Sequence, residues 1–254
     1  GNPIDTSSGV QQQPAPADQQ IQGGSISTES QTGADANEQR DCRIVGYGNS
    51  IQAYWEQELP KYGLQYTESK TVLFAQATQT ACGYASSEVG PFYCPSDESI
   101  YVDTAFFATL RSDFGASAGP LAQMYVLAHE WGHHISNLTG SLGSAGRDTG
   151  AASGSVRLEL QADCFAGAWV RDASTVTDSA GVPFMQPVSD AEIADAMNAA
   201  AVVGDDYIQR RAGQQVNPDG FTHGSSEQRQ RWFQVGYASG ATSCDTFGVS
   251  AAEL

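Results

Sequence analysis

Histidine and basic residues are scarce in this chain. Of its 254 residues only four are His and 12 are Lys or Arg, against 29 Asp and Glu, for a formal net charge of −17. A surface of that sign repels nucleic acid and anionic lipid, and no Lys/Arg cluster offers a local exception, which excludes nucleic-acid binding. Long apolar runs are also missing: no stretch approaches the roughly 18 residues a membrane-spanning helix needs. None of the five cysteines, Cys42, Cys82, Cys94, Cys164 and Cys244, forms the C-x-x-C spacing of a zinc knuckle or redox motif. There is no internal repeat. Residues 1–40 contain no Phe, Tyr or Trp and are dominated by Gln, Ser, Gly, Pro, Ala and Asp, too little apolar surface to offset the entropy of ordering them. Residues 1–41 therefore read as a linker and 42–254 as one domain, for which 40% hydrophobic content supplies a sizeable core. The chain starts at Gly1, not Met, which is compatible with a signal or membrane anchor upstream of residue 1; the lack of a span is no argument for the cytoplasm.

What the chain does have is concentrated. Three of the four histidines lie in Ala128-His129-Glu130-Trp131-Gly132-His133-His134. On a helix, His129 and His133 stand one turn apart on one face, close enough to share a metal ion. Glu130 follows the first of them. This is the H-E-x-x-H pattern, in which two neutral imidazoles hold zinc and the carboxylate takes a proton from water at the metal. Imidazole binds Zn2+ without neutralising it, and a carboxylate can accept a proton and pass it on. Gly119-Pro120 reads as the helix start, Leu121, Met124, Leu127 and Ala128 as its buried stripe, and Gly140 as its stop.

A catalytic zinc needs a third protein ligand and an open fourth position. A metzincin would supply a third His, but Ser136 and Thr139 stand where that pattern needs Gly and His. A carboxylate remains, and Glu159, on an apolar helix with Val156, Leu160, Phe165 and Trp169, is the first candidate, with Asp148 the runner-up. Asp163, one turn beyond Glu159, can accept the free ring N–H of a ligating histidine and fix its tautomer. His134 points about a hundred degrees around the helix from His133, which suits a packing group or one behind the ligands.

Among the cysteines, Cys82 with Cys94 could close a short loop, which would suit an extracytoplasmic protein, and Cys164 with Cys244 is a second possible pair; Cys42 with Cys244 is an open alternative, as are five reduced thiols. Along the chain, Ser50–Leu59 reads as a packing helix ended by Pro60, Thr71–Ala75 as a strand, 90–95 as a turn-rich loop, Ser99–Asp103 as a second strand and Thr104–Phe114 as a helix. Asp178–Pro187 is a loop. Ser189 with Glu192, and Ser225 with Gln228, are capping boxes opening two further helices.

His129-Glu130-Trp131-Gly132-His133-His134, the run from Glu159 to Gly167, Gly90-Pro91-Phe92-Tyr93-Cys94-Pro95 and Phe221-Thr222-His223-Gly224-Ser225-Ser226 together resemble the bacterial neutral zinc metallopeptidases, a gluzincin-type family, over roughly residues 50–248. The resemblance implies a zincin-like fold, Zn2+ and peptide-bond hydrolysis, and little about the substrate. Family members commonly carry an amino-terminal membrane anchor followed by such a spacer. The Thr-His-x5-Arg pattern is similar to one beside the cleft of membrane-linked gluzincins. It implies transition-state stabilisation for His223 and a supporting role, or a structural ion pair, for Arg229. In such folds an edge strand above the metal binds the substrate backbone, which points to Ser99–Asp103, with an ordinary interior strand as the plainer reading.

The expectation is an α+β domain, mostly helical, with a small β-sheet from residues 70–103 beside the H-E-x-x-H helix. Its function would be that of an extracytoplasmic zinc metalloendopeptidase acting on peptide or protein. His129, His133 and Glu159 would bind zinc, Glu130 and His223 would act on the substrate, and Asp163 and Arg229 would stand behind them. The alternative is a catalytically silent, zinc-stabilised binding module at the cell surface.

Overall fold

The computed structural model describes residues 40–86, 90–103, 105, 106, 108, 112 and 119–254. The linker expected over 1–41 and most of the helix expected over 104–114 lie outside the described residues. The architecture is mixed α+β, with helix predominating.

Helix α1, Arg40–Glu58, starts ten residues before the expected Ser50. Its apolar stripe explains why: Ile44, Tyr47, Ile51, Tyr54 and Trp55 recur at helical spacing and are all buried. A three-stranded sheet follows. Strand β1, Lys70–Phe74, pairs in parallel with β5, Ser99–Asp103, and β4, Phe92–Cys94, pairs antiparallel on the other side of β5. The order is thus β1-β5-β4. Between β1 and β4 in sequence lies a separate hairpin, β2 (Ala77–Thr80) with β3 (Gly83–Ser86), to which sequence reading assigned no element.

The edge-strand expectation for Ser99–Asp103 is corrected here. All five residues of β5 are buried and both of its sides are hydrogen-bonded, so it is the interior strand. The resemblance suggested an edge, whereas the plainer reading of an interior strand holds, and Asp97 takes up polar groups of Ser99 and Tyr101. It accepts from the Ser99 backbone N–H at 3.1 Å and from the Tyr101 hydroxyl at 2.7 Å. The two edges of the sheet are β1 and β4, the latter inside the segment expected to be loop.

Five more α-helices lie among the described residues: α2 (Pro120–Leu138), α3 (Gly154–Asp172), α4 (Asp190–Val202), α5 (Asp205–Arg211) and α6 (Ser226–Ser239). Pro120 occupies the first turn of α2, and both expected capping boxes are formed, at Ser189/Glu192 and Ser225/Gln228. Short α5 buries no residue, which is why no apolar period announced it. Helix α3 is central, packing on α2 and most extensively on α6. Glycines permit that closeness: a Cβ on Gly167 would lie 2.0 Å from the Phe233 carbonyl oxygen, and one on Gly236 1.8 Å from that of Cys164. Trp55, Trp131, Trp169, Tyr125 and Phe233 fill the core.

Two disulfides are present, Cys82–Cys94 and Cys164–Cys244. The second ties α3 to the segment after α6 across 80 residues. By loop-closure entropy it contributes roughly 4.5 kcal/mol, against roughly 2.8 for the short one. Such bonds suit an oxidising, extracytoplasmic compartment. No helix among the described residues is long and apolar enough to cross a membrane.

Candidate metal centre

Helices α2 and α3 cross at Gly132 and Ala162, and this crossing assembles the site. A Cβ on Gly132 would stand 2.7 Å from the Ala162 Cα, so the two backbones touch where only hydrogen fits. Gly132 lies between His129 and His133, and Ala162 lies one turn beyond Glu159. The α3 start is fixed by Ser153, whose Oγ accepts from the Val156 N–H at 3.2 Å.

The contact brings three side chains together. His129 Nε2 is 3.0 Å from Glu159 Oε2, and His133 Nε2 is 3.4 Å from Glu159 Oε1. One ligand atom from each of His129, His133 and Glu159 lies within 4.8 Å of the others, the single such group among the described residues. The donor set fits a divalent cation on its chemistry. Burial opposes charge on Glu159, but the facing His133 and His129 more than offset it and hold the carboxyl well below the usual carboxylate range. Burial likewise lowers His129, yet Asp163 and Glu159 on its two nitrogens lift it to about 10. An imidazole between two carboxylates calls for a cation, which a proton or a metal ion can supply.

Asp163 is fully buried, and His129 Nδ1 lies 2.8 Å from its Oδ1. With the Nδ1 proton directed at Asp163, Nε2 of a neutral ring presents its lone pair to a metal ion shared with Glu159. Arg229, also buried, donates to Asp163 through Nε at 2.8 Å and Nη2 at 3.1 Å, a two-pronged pair from α6. Burial pushes Asp163 up, but Arg229 and His129 hold it below its ordinary value. Arg229 therefore stands behind the ligands, 3.9 Å from Glu159 Oε2. Tyr125, which sequence reading did not single out, adds its hydroxyl to Asp163; its position one turn ahead of His129 was the available signal. His133 has no such brace, since its buried Nδ1 meets no hydrogen-bond partner among the described residues.

Glu130 sits beside the cluster and is buried; burial raises its carboxyl above the ordinary value, opposed by His129 and His133. His134 is a packing group: its Nε2 donates to the Thr67 carbonyl at 2.6 Å and its Nδ1 meets the Tyr93 hydroxyl at 2.9 Å, tying α2 to β4. The runner-up Asp148 is not among the gathered groups; its carboxylate accepts from the Gly154 N–H at the start of α3.

His223 lies in the loop ahead of α6 with 51% of its side chain exposed. Its Nδ1 is 3.3 Å from Asp205 Oδ1, while Asp205 Oδ2 accepts from the backbone N–H groups of Thr222, His223 and Gly224 at 2.8, 2.7 and 2.9 Å. Glu159 and Arg229 act on it electrostatically, but no described hydrogen bond joins it to His129, His133 or Glu159. The structure thus gathers five of the seven expected site residues into one hydrogen-bonded cluster, with Glu130 alongside and His223 on a separate support. Asp205, an acidic residue in a helix with no buried face, carried no sequence signal for that support.

Comparison with known proteins adds relatives. An uncharacterized protein of Mycobacterium tuberculosis (strain H37Rv) is 50% identical over 254 residues, covering 99% of this chain and 85% of its own. The uncharacterized protein YpfJ of Escherichia coli K12 is 40% identical over 203 residues, 77% of this chain and 67% of its own. No solved structure matches. The family described as "Putative neutral zinc metallopeptidase" matches residues 3–247, and with nearly the whole length covered this chain belongs to that family.

Proposed function

We propose that this protein is a zinc-dependent endopeptidase of gluzincin type that works outside the cytoplasm. The observation that carries the reading is the convergence of His129, His133 and Glu159 within 4.8 Å, with the buried carboxyl of Glu130 next to them. Zinc held by these three side chains would supply Lewis acidity to water and to the scissile carbonyl. Glu130 accepts the proton of the attacking water at its carboxylate and returns it to the leaving amine; burial tunes it upward for both tasks. Asp163 holds the Nδ1 proton of His129, and Arg229 keeps Asp163 ionised. His223, steadied by Asp205, is a candidate to donate to the developing oxyanion.

An extended peptide would bind along β4, the sheet edge next to α2, through backbone hydrogen bonds that read few side chains. The two disulfides support an extracytoplasmic setting. The experiment is Glu130→Gln, which should keep zinc by metal analysis and lose cleavage of unfolded casein. Equal casein turnover in variant and parent would refute the role of Glu130, and a zinc-loaded parent without any turnover would favour the silent binding module.

A further inference from the structure

Tyr125 is fully buried on α2, one turn ahead of His129, and nothing above gives it a task. Its ring packs edge-on against Phe233 at 5.7 Å, which alone would make it a core residue. Its hydroxyl has a more specific setting. It donates to Asp163 Oδ1 and accepts from Arg229 Nη2 at 3.3 Å, so its one proton has a fixed direction. Asp163 Oδ1 is also the oxygen that meets His129 Nδ1 at 2.8 Å. A carboxylate offers about four acceptor sites. Here they meet four donors: the Tyr125 hydroxyl, His129 Nδ1, and Nε and Nη2 of Arg229. Three of these, from Tyr125, His129 and Arg229 Nη2, converge on Oδ1 and one, from Arg229 Nε, falls on Oδ2, so the carboxylate cannot rotate without breaking bonds. The bracing falls on one ligand only, because His133 Nδ1 has no partner among the described residues. The direction of the His129 ring therefore depends on how firmly Asp163 is held.

We propose that Tyr125 is a positioning residue of the metal centre: its hydroxyl fixes Asp163 Oδ1, and through it the direction in which His129 Nε2 faces the ion. This rests on the zinc reading above. Partners that orient a ligating histidine typically change metal affinity 10- to 100-fold when removed, and Tyr125, one of three groups on Asp163, belongs at the lower end.

The test is Tyr125→Phe in the full chain, which keeps the ring and removes only the hydroxyl. Zinc affinity is measured by chelator competition, the visible spectrum is recorded on the cobalt-substituted protein, and apo thermal stability is followed separately. The expected result is about tenfold weaker zinc binding and a changed cobalt spectrum. In an Asp163→Asn background the same substitution should weaken binding less than about twofold further, since both act through one oxygen. A merely structural tyrosine would lower the apo melting temperature and leave affinity and spectrum as in the parent, and that result would overturn the inference. So would full multiplication of the two effects in the double variant. Should Tyr125→Phe fail to fold, 3-fluorotyrosine at position 125 retains shape and strengthens the donor; unchanged affinity there also overturns it. A parent that binds no zinc overturns the zinc reading and this inference together, whereas a zinc-binding, casein-cleaving parent with an indifferent Tyr125→Phe overturns this inference alone.

Discussion

Gly132→Ala tests whether the helix crossing builds the metal centre. Gly132 has ordinary helical backbone, so its lack of a side chain serves closeness and not conformation. Helix propensity alone favours the substitution by about 1 kcal/mol. Packing opposes it: the new Cβ would lie 2.7 Å from the Ala162 Cα, 2.8 Å from its carbonyl oxygen and 3.0 Å from its Cβ. Carbon atoms rest about 3.5–4.0 Å apart, so α3 must withdraw by about 1 Å. The obstruction is backbone, and no rotamer change relieves it. Overpacking of this kind costs about 1–3 kcal/mol, which equals or exceeds the propensity gain.

The functional consequence is larger than the loss of stability. Glu159 lies one turn before Ala162 on α3, whereas both imidazoles are on α2, so withdrawal of α3 opens the gaps that now measure 3.0 and 3.4 Å. Metal–ligand distances tolerate only about 0.2 Å of change, and a 1 Å misplacement of reacting groups costs about 100-fold in rate. Gly132→Ala should therefore bind zinc at least about tenfold more weakly and cleave casein about 100-fold more slowly. Its apo form should melt at or below the parent's temperature. Zinc competition, calorimetry and casein turnover check the three. A variant that melts higher and binds zinc as tightly as the parent would show that propensity wins and that this contact does not hold the ligands in place.

Further outcomes follow from the same geometry. Glu159→Ala should lower zinc occupancy, while Asp148→Ala should cost only the capping of α3 and leave zinc in place; metal analysis of both decides. Under native conditions a mild thiol should open Cys82–Cys94 first, because Cys82 is exposed whereas Cys164 and Cys244 are both buried. Peptide mapping after alkylation reads this, and equal labelling of both pairs contradicts it. The Asp205–His223 pair should make stability depend on pH. The Asp205 hydrogen bond raises His223 against the effect of burial, so its contribution is complete below about pH 6.5 and is lost as pH rises through the raised value. Burial raises Asp205, but His223 and the backbone N–H groups more than reverse this, so its contribution is complete above about pH 3.9 and is lost on acidification. Melting curves of His223→Ala should lack the alkaline part of this loss; an unchanged slope between about pH 6 and 9 would exclude the pair. The effect is small, since the imidazole is half exposed and screened.

What was legible in the sequence was local. Helices α2, α3, α4 and α6 were readable because their buried stripes and caps repeat within a few residues, as in Ser225 with Gln228. Glu159 and Asp163 were readable because ligand chemistry demands a carboxylate and a partner for the imidazole N–H, and one helix offered both at the right spacing. Pairing order across a sheet has no such local mark. Family resemblance pointed to Ser99–Asp103 as an edge, yet β5 is the interior strand, paired with β1 on one side and β4 on the other, as the plainer reading had it. The same holds at the metal centre. Arg229 reaches Asp163 across 66 residues of sequence, and Tyr125 reaches it across 38. Ligands are named by their own chemistry, but the groups that aim them are named only by what the fold brings beside them. Substitutions behind the ligands, more than at them, therefore probe whether this fold was built for catalysis: a site that only held zinc for stability would need His129 bound, but would tolerate its ring being aimed less firmly.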